Sequence, residues 1–267
     1  MIRRKTEPPR GVLKTGAEQR YRHQRYHASP DLDPFVEHYW SVDWDMRGQP
    51  PQLVETLPHP SVHMTFERGG KSEVRGPARA KFSGFLERKG RVFAVKFRPG
   101  GFYPFVRVSV SQFTDAVMSI KEVFGPQEPD LVRTVLSSDN DSSCIAAVET
   151  FLKSRCPQAD ENVTSVSEIV YSVARERDIL KVQDLVDRYD IDKRTLQRLF
   201  ARYVGVSPKW VIQRYRLHEA AEQLAASATI SQSELALSLG YSDQAHFVRD
   251  FKSIVGVSPA VYTLKSK

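Results

Sequence analysis

Between Lys193 and Arg216 the chain carries Lys193, Arg194, Arg198, Arg202, Lys209, Arg214 and Arg216 and no acidic residue. Arg194 and Arg198 are four positions apart, so on a helix they share a face. Gln197 lies beside them. Arg and Gln present planar donors that match the edges of guanine and adenine in the DNA major groove. Leu196, Leu199, Phe200 and Tyr203 would occupy the opposite, core-facing side. Further on, Gln244, Ala245, His246 and Arg249 form a second, less basic set with Asp250 beside it. Ala245 offers no hydrogen bond, only contact with a thymine methyl group. Lys193, Arg202 and Arg216 suit phosphate contact rather than base reading.

Other chemistry is thinner. His59 and His63, with Glu55, raise the question of a metal. Two prolines in ETLPHPSVH prevent an ordinary helix, and along a strand the two rings would point to one side but stand far apart. No metal site is expected; structural or pocket-lining roles fit these histidines better. Trp40, Trp44, His59, His63 and Arg98 are candidate lining for a ligand pocket, with Trp40 and Phe97 also suited to core packing. RPGGFYPF lacks the glycine spacing of a nucleotide loop. Cys144 and Cys156 form no Cys-x-x-Cys pair, which argues against zinc, and two cysteines fit a reducing cytoplasm. No Ser/His/Asp or Cys/His set stands out, so neither catalysis nor a cofactor is expected. The rival reading is a metal-dependent enzyme with an accessory helical domain, which metal content would distinguish.

The elements that would position the basic residues are repeated. VGVSP fills residues 204–208 and again 255–259. At that offset Arg198/Arg249 and Phe200/Phe251 are identical, and Leu196/Phe247 and Tyr203/Ile254 are both apolar. Such internal self-similarity marks one structural unit used twice. Each copy reads as short helix, turn, longer helix: QDLVDR, YDID, KRTLQRLFARY, then QSELALS, LGYSD, QAHFVRDFKSI. Gly240 suits a helix end; Asp192 and Asp243 suit caps of the following helices. In VGVSP the glycine ends one helix and Ser-Pro starts the next, so the motif is a corner. Ser207 would cap a linker helix carrying Leu217, Ala220, Ala221 and Leu224. This is a helix-turn-helix plan, whose second helix enters the major groove. Double-stranded DNA is the expected partner.

Before residue 165 the signals differ. From about residue 30 to 125 short β-branched and aromatic runs are cut by Gly and Pro, among them SVHMTFERGG, FSGFLERKGRVFAVKFRPGGFYPF and VRVSV. In RVFAVKF, Phe93, Val95 and Phe97 alternate with Val92, Ala94 and Lys96, and Lys96 leaves one face less apolar. Several such strands imply a barrel or sandwich. EPDLVRTVLSS and SSCIAAVETFLKSRC read as helices, and 156–165 as a linker. Residues 1–25 hold eight Lys/Arg against two acids, most of the chain's net +7, and are expected as a basic disordered tail with no secretory signal. No apolar run approaches the ~20 residues of a membrane span. The expected fold is α+β in two domains, β-rich over 26–160 and all-α over 161–267.

LQRLFARYVGVSP, RYRLHEAAEQL and LALSLGYSDQAHFVRDFKSIVGVSPAVY resemble the AraC/XylS family of bacterial transcription regulators over about residues 165–265. The resemblance implies tandem helix-turn-helix units joined by a linker helix at about 208–226. Their reading helices would enter successive major-groove segments ~34 Å apart. Its base-facing positions fall on Arg194, Gln197 and Arg198, and on Gln244, Ala245, His246 and Arg249. Asp192 stands where serine is more usual, and Val186 where a small alanine is. YWSVDW, ETLPHPSVHMTFE and VFAVKFRPGGFYPF resemble a domain of uncharacterised function found ahead of such tails and similar to cupin-like β-barrel sensors. The resemblance thus implies a sequence-specific regulator modulated through its N-terminal domain. Its implied partners are a small-molecule effector, a second copy in a homodimer and, if it activates, RNA polymerase.

Overall fold

The computed structural model describes residues 4, 5, 11, 13, 20–125, 129–155, 157, 158, 160–226 and 230–266. Seven strands come first: β1 Tyr21–Tyr26, β2 Val36–Asp45, β3 Gln52–Thr56, β4 His63–Glu67, β5 Ser72–Arg75, β6 Phe82–Leu86 and β7 Lys89–Phe97. A short helix α1 (Tyr103–Val106), a 3-10 turn (Val110–Phe113) and β8 (Val117–Ser119) follow. Helices α2 (Ile120–Phe124), α3 (Pro129–Ser137) and α4 (Asp141–Lys153) complete the N-terminal half. All pairing is antiparallel. Six strands form one sheet in the order β1-β2-β7-β4-β5-β8; β3 and β6 pair only with each other. The N-terminal half is therefore two separately hydrogen-bonded sheets, not a barrel closed by hydrogen bonds.

Strand alternation sorts the side chains of the large sheet. Tyr39, Met64, Phe66, Phe93, Val95 and Phe97 are buried on one face, as the RVFAVKF pattern predicts. The other face, with Trp40, Val42, His63, Thr65 and Lys96, borders a cavity. The predicted helices after residue 126 are present: Leu131, Val135, Ile145, Val148, Phe151 and Leu152 join the same core. Asp160 caps α5 (Glu161–Arg175), accepting from the Asn162 amide at 3.0 Å, so the expected linker is cut short by a helix start.

Two N-terminal expectations are corrected. Tyr21–Tyr26 is strand, not tail. It pairs with β2 along its whole length, and Arg22 meets Asp43 across the pair at 3.1 Å. The charge that read as disorder belongs to a charged edge strand. Leu13 is buried, and its amide donates to the Glu55 carbonyl at 3.0 Å. VRVSV is not a strand: Val106 ends α1, Arg107 takes a left-handed φ of 55°, and Val110 opens the 3-10 turn. Pro104 at the start of α1 favours the helical turn that breaks up this β-branched run.

Among the described residues the C-terminal half holds helices and no strand: α5, then α6 (Val182–Tyr189), α7 (Lys193–Leu199) with a π turn over Phe200–Val204, α8 (Pro208–Ala226), α9 (Gln232–Ser238), α10 (Gln244–Val255) and α11 (Pro259–Lys265). Two cores divide the molecule, and the division does not follow the expected domain boundary. The first runs without a break from the large sheet through α5, α6 and α7 to Ile212. The second gathers the C-terminal part of α8, α9, α10 and α11 with Leu13 and Leu57. No helix among the described residues is long and apolar enough to cross a membrane.

Candidate functional site

The repeated sequence becomes repeated geometry. Asp192 Oδ1 accepts from the Thr195 amide at 2.9 Å and Asp243 Oδ1 from the His246 amide at 2.7 Å. Each opens the second helix of its unit, and the bonds to Thr195 hold the Asp192 carboxyl below the usual carboxylate range. The inward seam is Leu196, Phe200 and Tyr203 in one copy and Phe247, Phe251 and Ile254 in the other, all buried. Burying each such large side chain contributes roughly 1.5–3 kcal/mol. Both helices end at a left-handed glycine, Gly205 with φ 89° and Gly256 with φ 85°. Ser207 Oγ then accepts from the Trp210 amide at 3.2 Å and Ser258 Oγ from the Val261 amide at 3.5 Å, starting α8 and α11. The corner in the first copy is wider than an α-helical end: the Gly205 amide donates to the Phe200 carbonyl at 2.8 Å, five residues back.

On the face opposite the seam, Lys193, Arg194, Gln197 and Arg198 are exposed on α7. Among the described residues no side-chain hydrogen bond or ion pair engages Arg194, Gln197 or Arg198. On α10, Gln244, Ala245 and Arg249 are exposed. Gln244 Oε1 accepts from Ser233 Oγ at 2.8 Å, which orients it from α9. His246 is half-buried: its ring meets Tyr241 edge-on at 5.2 Å, and its Nε2 lies 3.3 Å from Asp250 Oδ2. Three further cations of this basic run are engaged within the chain. Arg202 Nε donates to the Tyr103 hydroxyl at 2.7 Å and its guanidinium lies 4.8 Å from that ring, so it ties the corner to α1. Arg216 packs 5.5 Å over Tyr241, and Arg214 is buried at 1% exposure.

Residues 185–265 match the family model of a helix-turn-helix domain, and residues 24–119 that of a domain of unknown function, DUF6597. Residues 185–265 are thus similar in sequence to a helix-turn-helix domain, the plan that the repeated units show in their geometry. An uncharacterised HTH-type transcriptional regulator of Bacillus subtilis, YfiF, is 28% identical over 136 residues, 49% of this chain and 43% of that protein. The HTH-type transcriptional activator AarP of Providencia stuartii is 32% identical over 85 residues, 32% of this chain and 62% of that protein. The chain thus spans well under two thirds of the first of these relatives and slightly under two thirds of the second. The crystal structure of ToxT from Vibrio cholerae aligns over 94% of this chain and 99% of its own, with a TM-score of 0.40 and 11% identity.

Against the helix-turn-helix domain the N-terminal half leaves a cavity of about 1310 Å³, walled by the large sheet, the β3–β6 pair, α5 and α8. Trp40, Trp44, His59 and His63 line it as expected; Arg98 does not. Arg98 is turned to Asp33, meeting Oδ1 at 2.9 Å, and reaches the Tyr171 hydroxyl at 3.4 Å. Sequence reading missed Lys96, Glu37, Tyr171, Arg214 and His218, all of which line the cavity. Lys96 Nζ lies 3.1 Å from Glu37 Oε1, and Tyr171 donates to Glu37 Oε2 at 3.4 Å. Burial opposes ionisation of Glu37, but Lys96 and the bond from His38 overcome it and hold the carboxyl far below its usual range. Burial, then Lys96, pushes His63 down to about 3 and His59 well below its ordinary value. Burial and Arg25 bring His23 to about 4. These rings are neutral near pH 7. Among the described residues no group of three or more His, Cys, Asp or Glu side chains could hold a metal ion. Cys144 is buried and free; Cys156 lies outside the described residues.

Proposed function

We propose that this protein is a sequence-specific transcriptional regulator that binds double-stranded DNA through both helix-turn-helix units. The observation that carries the reading is the two-sidedness of α7 and α10. Each turns a buried apolar seam inward and sets Arg and Gln donors on its exposed face. Arg194, Gln197 and Arg198 read one major-groove segment; Gln244, Ala245, His246 and Arg249 read the next. Lys193 neutralises phosphate beside them. The N-terminal half senses a small-molecule effector and carries the homodimer contact, and the protein works in the cytoplasm. Where it activates, it also meets RNA polymerase. This reading assigns the protein no catalytic step.

Titrating fluorescent duplex DNA with the full chain at rising salt tests the reading. Binding is expected to weaken linearly in log[salt], with a slope of about −0.9 per phosphate neutralised. Absence of binding to any duplex at 50–100 mM salt, roughly the range where phosphate contacts are strong, contradicts it.

A further inference from the structure

The buried Arg214 has hydrogen-bond partners but no described carboxylate bonded to it; Glu222 and Glu37 act on it only through space. Its Nε donates to the Pro58 carbonyl at 2.6 Å. Its terminal nitrogens face His218 Nδ1 at 3.5 Å and His59 Nδ1 at 3.2 Å. Arg can only donate, so both rings accept through Nδ1. His218 Nε2 in turn lies 3.4 Å from Glu222, as a ring carrying its proton there would. No described carboxylate forms an ion pair with Arg214. Buried charges in proteins are ordinarily paired. Nearby, strand pairing sets His38, Lys96 and His63 in one row across β2, β7 and β4. Glu37 is the one carboxylate bonded to Lys96 there, and it is shared with His38 at 3.5 Å and Tyr171. Two buried cations thus face one cavity; Glu37 is the one described carboxylate bonded to either, while Glu219 and Glu222 stand on the cavity's α8 wall. Much of the remaining wall is apolar or aromatic, with Trp40, Val42, Val54 and Phe82 along it. Phe82 and Phe85, 51% and 65% exposed, stand at its edge on the β3–β6 pair, which hydrogen-bonds to no other strand.

We propose that this cavity binds an organic anion with an apolar body, its anionic group held by Arg214 and Lys96 and its body lying along Trp40, Val42, Val54 and Phe82. The anion supplies a directly bonded counter-charge, and the neutral histidines add donors without competing for it. Lys96 belongs to β7 and Arg214 to α8, the helix that joins the two DNA-reading units. One ligand therefore fastens the sensing sheet to the linker helix. That last clause rests on the regulator reading; binding of the anion does not.

Isothermal titration of the full chain, without DNA, tests the site. The probes are 4-phenylbutanoate and dodecanoate, each beside its primary alcohol and its amine. At least one acid is expected to bind, at least about tenfold tighter than its alcohol, with the amine weaker still. Arg214→Met and Lys96→Met are each expected to lower acid affinity by at least about tenfold and leave alcohol affinity unchanged. Thermal unfolding of each variant reports whether it folds, and loss of a buried cation with no directly bonded carboxylate is expected to leave the Arg214→Met midpoint unchanged or raised. Neither acid binding, acid and alcohol binding equally, or full acid affinity in both variants would each overturn the proposal. Because no DNA is present, these outcomes are independent of whether the protein reads DNA.

Discussion

Arg198 and Arg249 occupy equivalent positions in the two units, both exposed on helices whose other side is buried. Truncating Arg198 to Ala is expected to cost about 1–3 kcal/mol of DNA affinity and to relax specificity at one base pair. Lys193→Ala is expected to weaken all sequences alike and flatten the salt slope by about one. Fluorescence anisotropy on matched and mismatched duplexes separates the two effects; equal losses on every sequence would remove Arg198 from base reading. These residues were legible because helical spacing alone puts Arg194 and Arg198 on one face. Arg214 was not legible from charge counting. Its position was nonetheless in the pattern, since it falls on the stripe of Val211, Leu217 and Ala221 that α8 buries. Arg202 gave no local sign at all, because the hydroxyl it grips belongs to Tyr103, far away in sequence.

At the scale of elements, the VGVSP corners do two jobs. Each reverses the chain through a left-handed glycine, and each touches the N-terminal half. A Cβ on Gly205 would stand 2.9 Å from the Val110 carbonyl oxygen; on Gly256 it would meet the Lys81 side chain at 2.7 Å. Both Gly→Ala changes pay the left-handed penalty of about 1–3 kcal/mol. Gly205→Ala is expected to destabilise more, because backbone cannot step aside as a lysine chain can. Chemical denaturation of the two variants checks the order; equal losses would mean the Val110 contact yields freely. The corners were readable from Gly and Ser-Pro. The contact itself was not, since VRVSV looks like a strand and is instead the loop and 3-10 turn that meets the corner. Strand β1 was hidden for a related reason: its charges suggest a tail until β2 supplies the partners.

Across the whole molecule, the first helix-turn-helix unit shares its core with the large sheet while the second has a core of its own. Repeat and composition revealed two units and two halves, but not this unequal sharing, which depends on contacts between distant segments such as Tyr103 and Tyr203 at 4.5 Å. The cavity between the halves also ties stability to pH. Burial, assisted by neighbouring cations, brings His23 and His38 to about 4 and His63 to about 3, against about 6.5 in the unfolded chain. Over that interval the unfolded state binds more protons, so stability rises with pH and is lost as pH falls below about 6.5. The thermal midpoint is expected to be lower at pH 5 than at pH 7.5; an unchanged midpoint would mean these rings are not held neutral.

Selecting bound duplexes from a random-sequence pool with the full chain, at near-physiological salt, tests the central claim most directly. The account predicts an enriched motif of two short blocks about one helical turn apart, ~34 Å, with Arg198→Ala and Arg249→Ala each degrading a different block. Binding without enrichment of any sequence, in the presence and absence of an organic anion, would contradict it.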